Sequence, residues 1–169
     1  MKLQISLSKP SIQKALNQAR EYQRKLNDKN RLFVKRLAES GIPVIDSNIE
    51  RADGDSDKYH DTKIILHSYG DYSQATLQVS GKDILFIEFG AGIHYNNSPI
   101  PHADKFGYGI GTYNPGSDNA FNPDGWWYKD DSGASQHSYG TEATMPMLKA
   151  SNEIINNIRR IAREVYGSN

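Results

Sequence analysis

This 169-residue chain predicts an α+β fold, and three observations lead there. Helical periodicity occupies both ends of the chain. Short alternating apolar runs separated by turn residues occupy its middle, and the last of them breaks into a long stretch rich in Gly and aromatic residues. The expected architecture is an antiparallel β-meander packed against a long N-terminal helix and a C-terminal helix, with a long aromatic- and Gly-rich arm. A chain of this length is most simply one domain, so residues 1–169 are read as a single unit.

Leu3, Ile5 and Leu7 alternate with Lys2, Gln4 and Ser6, which suits a short edge strand over 1–10 closed by Pro10. Ser11 is a favourable N-cap. After it Ile12, Ala15, Leu16, Ala19, Tyr22, Leu26, Phe33, Val34 and Leu37 recur at three- and four-residue steps. That spacing predicts a helix over 11–40, stopped at Gly41 and kept from restarting by Pro43. A polar acidic loop is expected over 46–61. Its Asp residues at steps of two resemble the start of a calcium loop, but Lys58 stands where that loop needs Gly and Ile64 where it needs Glu.

The meander is expected over 62–90. Its first two strands, 63–68 and 75–79, flank the turn-prone residues 69–73, and the turn at 80–83 leads into a third strand over 84–89. That third run, Ile-Leu-Phe-Ile-Glu-Phe, is apolar on both alternating faces, as a central strand would be, except for Glu88. A carboxylate there needs donors, and the backbone of 90–93 or a basic group on the first helix would supply them. Gly90 and Gly92 end the strand and start the arm, 91–143, which carries Tyr95, Phe106, Tyr108, Tyr113, Phe121, Trp126, Trp127, Tyr128 and Tyr139. So many rings argue for an ordered excursion packed on the body or on another chain. Thr144 caps the last helix, 144–166, with Pro146 in its first turn.

Formal charge is zero, yet residues 1–40 hold ten Lys/Arg against three Asp/Glu, and residues 41–142 hold six against fifteen. A basic helix beside an acidic body neutralises itself internally or pairs between copies. Without cysteine, disulfides, thiolate metal sites and a Cys nucleophile are excluded. No apolar run reaches the roughly 18 residues of a membrane span, so a soluble protein with no membrane partner and no export signal is expected.

Glu88, His94, His102, Asp104, His137 and Glu142 are the residues from which a zinc or iron site or an acid–base pair could be drawn, and none follows a metal-motif spacing. The Gly-rich run at 107–111 lacks the order of a phosphate loop. Trp126, Trp127 and Tyr128 could stack bases, but they lie in an acidic stretch that would repel phosphates. No cofactor, metal or catalytic residue is expected.

Three stretches carry a resemblance. Residues 81–92 read Gly-Lys-Asp-Ile-Leu-Phe-Ile-Glu-Phe-Gly-Ala-Gly; residues 125–128 read Gly-Trp-Trp-Tyr and are followed by 137–140; residues 140–147 read Gly-Thr-Glu-Ala-Thr-Met-Pro-Met. Together with the basic N-terminal helix they resemble the neck and tail-completion proteins of long-tailed bacteriophages, also described as minor tail components. An acidic loop replaces the Thr-Gly-x-Leu segment usual before the meander. The resemblance implies a structural, non-enzymatic virion protein that joins head to tail as a homo-oligomeric ring, commonly sixfold, with genomic DNA passing through its lumen without sequence specificity. Implied neighbours are the head-connector or head-completion proteins and the tail-terminator or tail-tube proteins, in the virion and in host cytoplasm during assembly. Candidate interface residues are Glu88, Phe89, Phe106, Tyr108, Tyr113, Trp126, Trp127 and Tyr128, with Arg24, Arg31 and Arg36 on the helix. The rival readings are a small hydrolase using Glu88 with His94 or His137, and a DNA-binding module using the basic helix.

Overall fold

The helical periodicity that begins near residue 11 does not stop at Gly41. In the computed structural model, which describes residues 6, 8–95 and 121–167, the first helix, α1, runs from Lys9 to Arg51. It therefore passes through both Gly41 and Pro43, and the expected boundary at residue 40 is corrected to 51. Pro in a helix interior costs about 3 kcal/mol, so tertiary contacts must outweigh it. They lie on either side of the proline. A Cβ on Gly41 would sit 2.9 Å from Leu77 Cδ2 and 3.0 Å from Ile154 Cδ1, so only glycine leaves room for the two elements that press on the helix there. Ile45 and Ile49 beyond it are fully buried in the main core with Ala52, Ile84, Ile87 and Ala150.

Strands β1 (Asp61–Tyr69) and β2 (Tyr72–Ser80) form an antiparallel hairpin, with Ile64 opposite Leu77 and Leu66 opposite Ala75. Its burial alternates as expected of a sheet with one wet face: Thr62, Ile64, Leu66, Ala75, Leu77 and Val79 turn inward. Asn27 Nδ2 donates to Gly70 O at the hairpin tip, 2.5 Å away, so the hairpin lies along α1.

The third strand of the expected meander is absent, and the sheet is two-stranded. Residues Ile84–Phe89 form a short helix, α2. Ile84, Ile87 and Glu88 are buried while Leu85 is exposed, a three- and four-residue rhythm that a six-residue apolar run cannot reveal by itself. Asp83 O receives N–H bonds from Phe86 and Ile87 to open the turn, and Gly90, at φ 78°, closes it.

The described part of the expected arm contains a second hairpin, β3 (Trp126–Lys129) with β4 (Ser135–Ser138), Trp126 opposite Ser138. The last helix, α3, spans Pro146–Tyr166 and runs antiparallel to α1: Lys149 meets Asn48 at one end, and Tyr166 meets Asn30 and Phe33 at the other. Met145, in the left-handed region at φ 55°, holds the N-cap position that Thr144 was expected to fill. The expected edge strand over 1–10 lies mostly outside the described residues, and its Lys9 and Pro10 belong to the first turn of α1. Among the described residues three helices, one of them the six-residue α2, and two hairpins make the α+β architecture. Among the described residues no helix is long and apolar enough to cross a membrane.

Candidate functional site

Three distant segments meet at one end of α1. The Ala91 and Thr141 backbones exchange N–H bonds of 3.0 and 2.8 Å, Glu142 N–H reaches Asp53 O at 2.8 Å, and Asp55 N–H reaches Gly140 O at 3.2 Å. Gly140, at φ 98°, is tied to this junction because an added Cβ would fall 2.0 Å from Ala91 O. Ser56 Oγ and Thr141 Oγ1 share a bond of 2.6 Å.

Beside this junction Glu88 faces the start of α3. Its two oxygens accept from the Met147 N–H at 2.7 Å and the Leu148 N–H at 3.1 Å. These amides belong to the first turn, which has no partners within its own helix, and a carboxylate also suits the positive end of the helix dipole. Burial pushes the Glu88 carboxyl above its usual range, and the two amides and Lys149 pull part of that back. The C-terminal carbonyls of α1, at this same end, are met by side-chain donors: Thr144 Oγ1 donates to Asn48 O at 2.7 Å, and Lys58 Nζ to Glu50 O at 2.8 Å. Glu88 is a structural carboxylate, but its donors are on α3, and neither the 90–93 backbone nor a basic group on α1 supplies them.

Outward from the junction lies an aromatic, acidic surface. Trp126 turns in, its ring edge over Gly92, while Trp127 turns out, 70% exposed, as strand alternation requires. Rings continue across the face, with Trp127 on His137 at 5.0 Å, His137 on Tyr139 at 4.7 Å and Tyr139 on His94 at 5.2 Å. A cleft of about 340 Å³ opens between this hairpin, α2 and the loop after α1, with Asp55, Asp83, Asp131, Phe86, Trp126 and Tyr128 among its walls. Its carboxylates have structural duties: Asp55 accepts from Tyr139 N–H, Asp83 from Asp57 N–H, and Asp131 pairs with Lys82 at 3.0 Å. Asp130 folds the β3–β4 turn, accepting from Ser132, Ala134 and Gln136, and those donors hold its carboxyl down at about 2.

The expected site residues thus separate. Glu88 and Phe89 are 7% and 8% exposed inside the subunit, Phe89 beside Ala143 and Leu148, so a place in a subunit interface does not fit them. Trp127 and Tyr128 are exposed, and Trp126 anchors its hairpin to the body. Arg24 and Arg31 are exposed, whereas Arg36 reaches Glu164 at 3.5 Å. Phe106, Tyr108, Tyr113, His102 and Asp104 lie outside the described residues. Both Glu88 oxygens are engaged by α3, and the rings of His94 and His137 pack edge-on or tilted against aromatic neighbours; no described contact joins the acid to either histidine. No group of three or more His, Asp or Glu able to hold a metal occurs among the described residues.

An exposed apolar stripe on α1 lies apart from the expected site residues. Among the described residues, the first in α1 with a polar contact to another element is Asn27; before it, the side-chain bonds stay local, as between Gln13 and Asn17 or Glu21 and Lys25. Yet Ile12, Leu16, Tyr22 and Leu26 are 43%, 47%, 52% and 38% exposed. Their spacing continues the stripe that Phe33 offers to Tyr166 of α3. The signal was in the sequence, as a periodic stripe much longer than the C-terminal helix that could cover it. Comparison of the chain with protein-family models, with curated proteins and with solved structures finds no match.

Proposed function

We propose that this protein is a non-enzymatic structural subunit of the neck of a long-tailed bacteriophage, a tail-completion protein that assembles into a homo-oligomeric ring joining head to tail. One observation carries the reading. Two of the stretches on which the resemblance rests form one unit: Glu88 of the Glu-Phe-Gly run is seated on the first turn of α3, on Met147 directly after Thr-Met-Pro and 59 residues away. Residues with a joint structural duty account for such motifs without any catalytic role. The ring would pass genomic DNA through its lumen by electrostatic contacts and meet head-connector proteins on one side and tail-terminator or tail-tube proteins on the other.

The test is to disrupt the gene in its phage and examine the lysate by electron microscopy. Filled heads and separate tails, rejoined when the wild-type protein is supplied in trans, are the expected outcome. Intact virions in normal yield would overturn the proposal. The exposed basic side of α1 favours nucleic-acid contact as a second reading; binding to duplex DNA that weakens steeply with salt would support it, and no binding at low salt would dismiss it.

A further inference from the structure

We infer that the first part of α1, residues 9–26, docks head to tail on the acidic aromatic end of a second copy of the chain. The receiving surface is formed by β3–β4, the loop 52–60 and the outer side of α2. This deepens the proposed self-assembly and rests on it.

Charge selects the partner surface. Residues 9–26 carry five Lys/Arg against Glu21 alone, whereas 52–61, 82–95 and 121–142 together carry, besides the buried Glu88, nine Asp/Glu against three Lys. Pairing two basic segments with each other would set like charges side by side, and pairing basic with acidic gives complementary fields. Apolar surface is present on both sides as well. Ile12, Leu16, Tyr22 and Leu26 on the helix face Tyr59, Leu85, Trp127 and Tyr128, which are 80%, 48%, 70% and 44% exposed. Exposed aromatic rings are favoured interface anchors.

Geometry keeps one copy from making this contact with its own acidic surface, although Ala15 in the segment is already buried within the chain. The 25 residues from Leu26 to Arg51 span about 37 Å of continuous helix at 1.5 Å per residue. Residues 9–26 therefore stand at the opposite end of a rigid rod from the acidic surface and cannot fold back onto it. Different patches meeting in this way make a heterologous contact, which repeats from copy to copy.

The chain has no cysteine, so single cysteines report the contact without background. Leu16→Cys and Trp127→Cys variants are each treated with a flexible bis-maleimide cross-linker, alone and mixed, with Tyr59→Cys as a second acceptor. Linked dimer in the Leu16→Cys mixtures, and none above background in any variant alone, is the expected result. Equal linkage of Leu16→Cys alone would overturn the inference in favour of a symmetric helix pair. An oligomer by sedimentation with no linkage in any mixture would overturn this contact and leave self-assembly standing. A monomer at every concentration would overturn both.

Discussion

Glu88 binds α2 to the start of α3 through the Met147 and Leu148 amides. The pattern around it marked a carboxylate that needs donors, but the donors are amides of a helix 59 residues downstream, and no local periodicity points there. Glu88→Ala should cost about 1–3 kcal/mol in chemical denaturation, since it leaves first-turn amides without their acceptor. Glu88→Gln, which keeps one acceptor, should cost less. The sign of the pH effect follows from the raised carboxyl: its stabilising contribution is present below the ordinary carboxyl pKa and is lost as pH rises through the folded value. Wild type should therefore lose stability relative to Glu88→Gln as pH rises above the ordinary carboxyl range of about 4. A second group titrates nearer neutrality. His60 Nδ1 donates to Lys58 O at 2.8 Å and Nε2 meets Asp46 at 3.1 Å, so acceptors at both ring nitrogens favour the imidazolium and raise its pKa. That contribution is full below about pH 6.5 and fades as pH climbs through the raised value, so wild type should lose more stability than His60→Gln as pH rises above that range.

At the scale of elements, the first and last helices and the β1–β2 hairpin were legible because each presents a period that physics dictates. α2 was not, because six apolar residues satisfy a buried strand and a buried helical turn equally, and only the bond pattern of Asp83 with Phe86 and Ile87 decides. Gly41 and Pro43 misled for a different reason: both are strong local stop signals, overridden by a core that buries Ile45 and Ile49 completely. Pro43 itself is exposed inside α1. Pro43→Ala should consequently raise stability by about 1–3 kcal/mol, read from the denaturation midpoint, as an interior proline is relieved. The neighbouring tryptophans should separate as strand alternation separates them. Trp126→Ala should cost about 2–4 kcal/mol through the void left beside Gly92, and Trp127→Ala less than about 0.5 kcal/mol in the isolated subunit.

For the whole molecule, the candidate surface was half visible beforehand. The opposite charges of the N-terminal 40 residues and the body are countable in the sequence, and Trp127 and Tyr128 stand out there as adjacent rings in a polar stretch. The placement of those charges at opposite ends of one long helix was not countable, since it depends on α1 continuing to Arg51 and on the junction of Ala91 with Thr141. Association governed by such a dipolar layout should weaken as salt rises from about 50 to 500 mM, because exposed charges are screened over a few ångströms at the higher value; sedimentation across that range checks it. The Glu88 contact also bears on how the chain acquires its structure. α3 has no side-chain cap of its own and begins from a left-handed Met145, so a peptide of residues 146–166 should be mostly coil by circular dichroism, short isolated helices being marginal in water. The start of the helix is then tied to a contact closed over 59 residues of chain, so α2 and α3 should become protected from hydrogen exchange together and neither before the other.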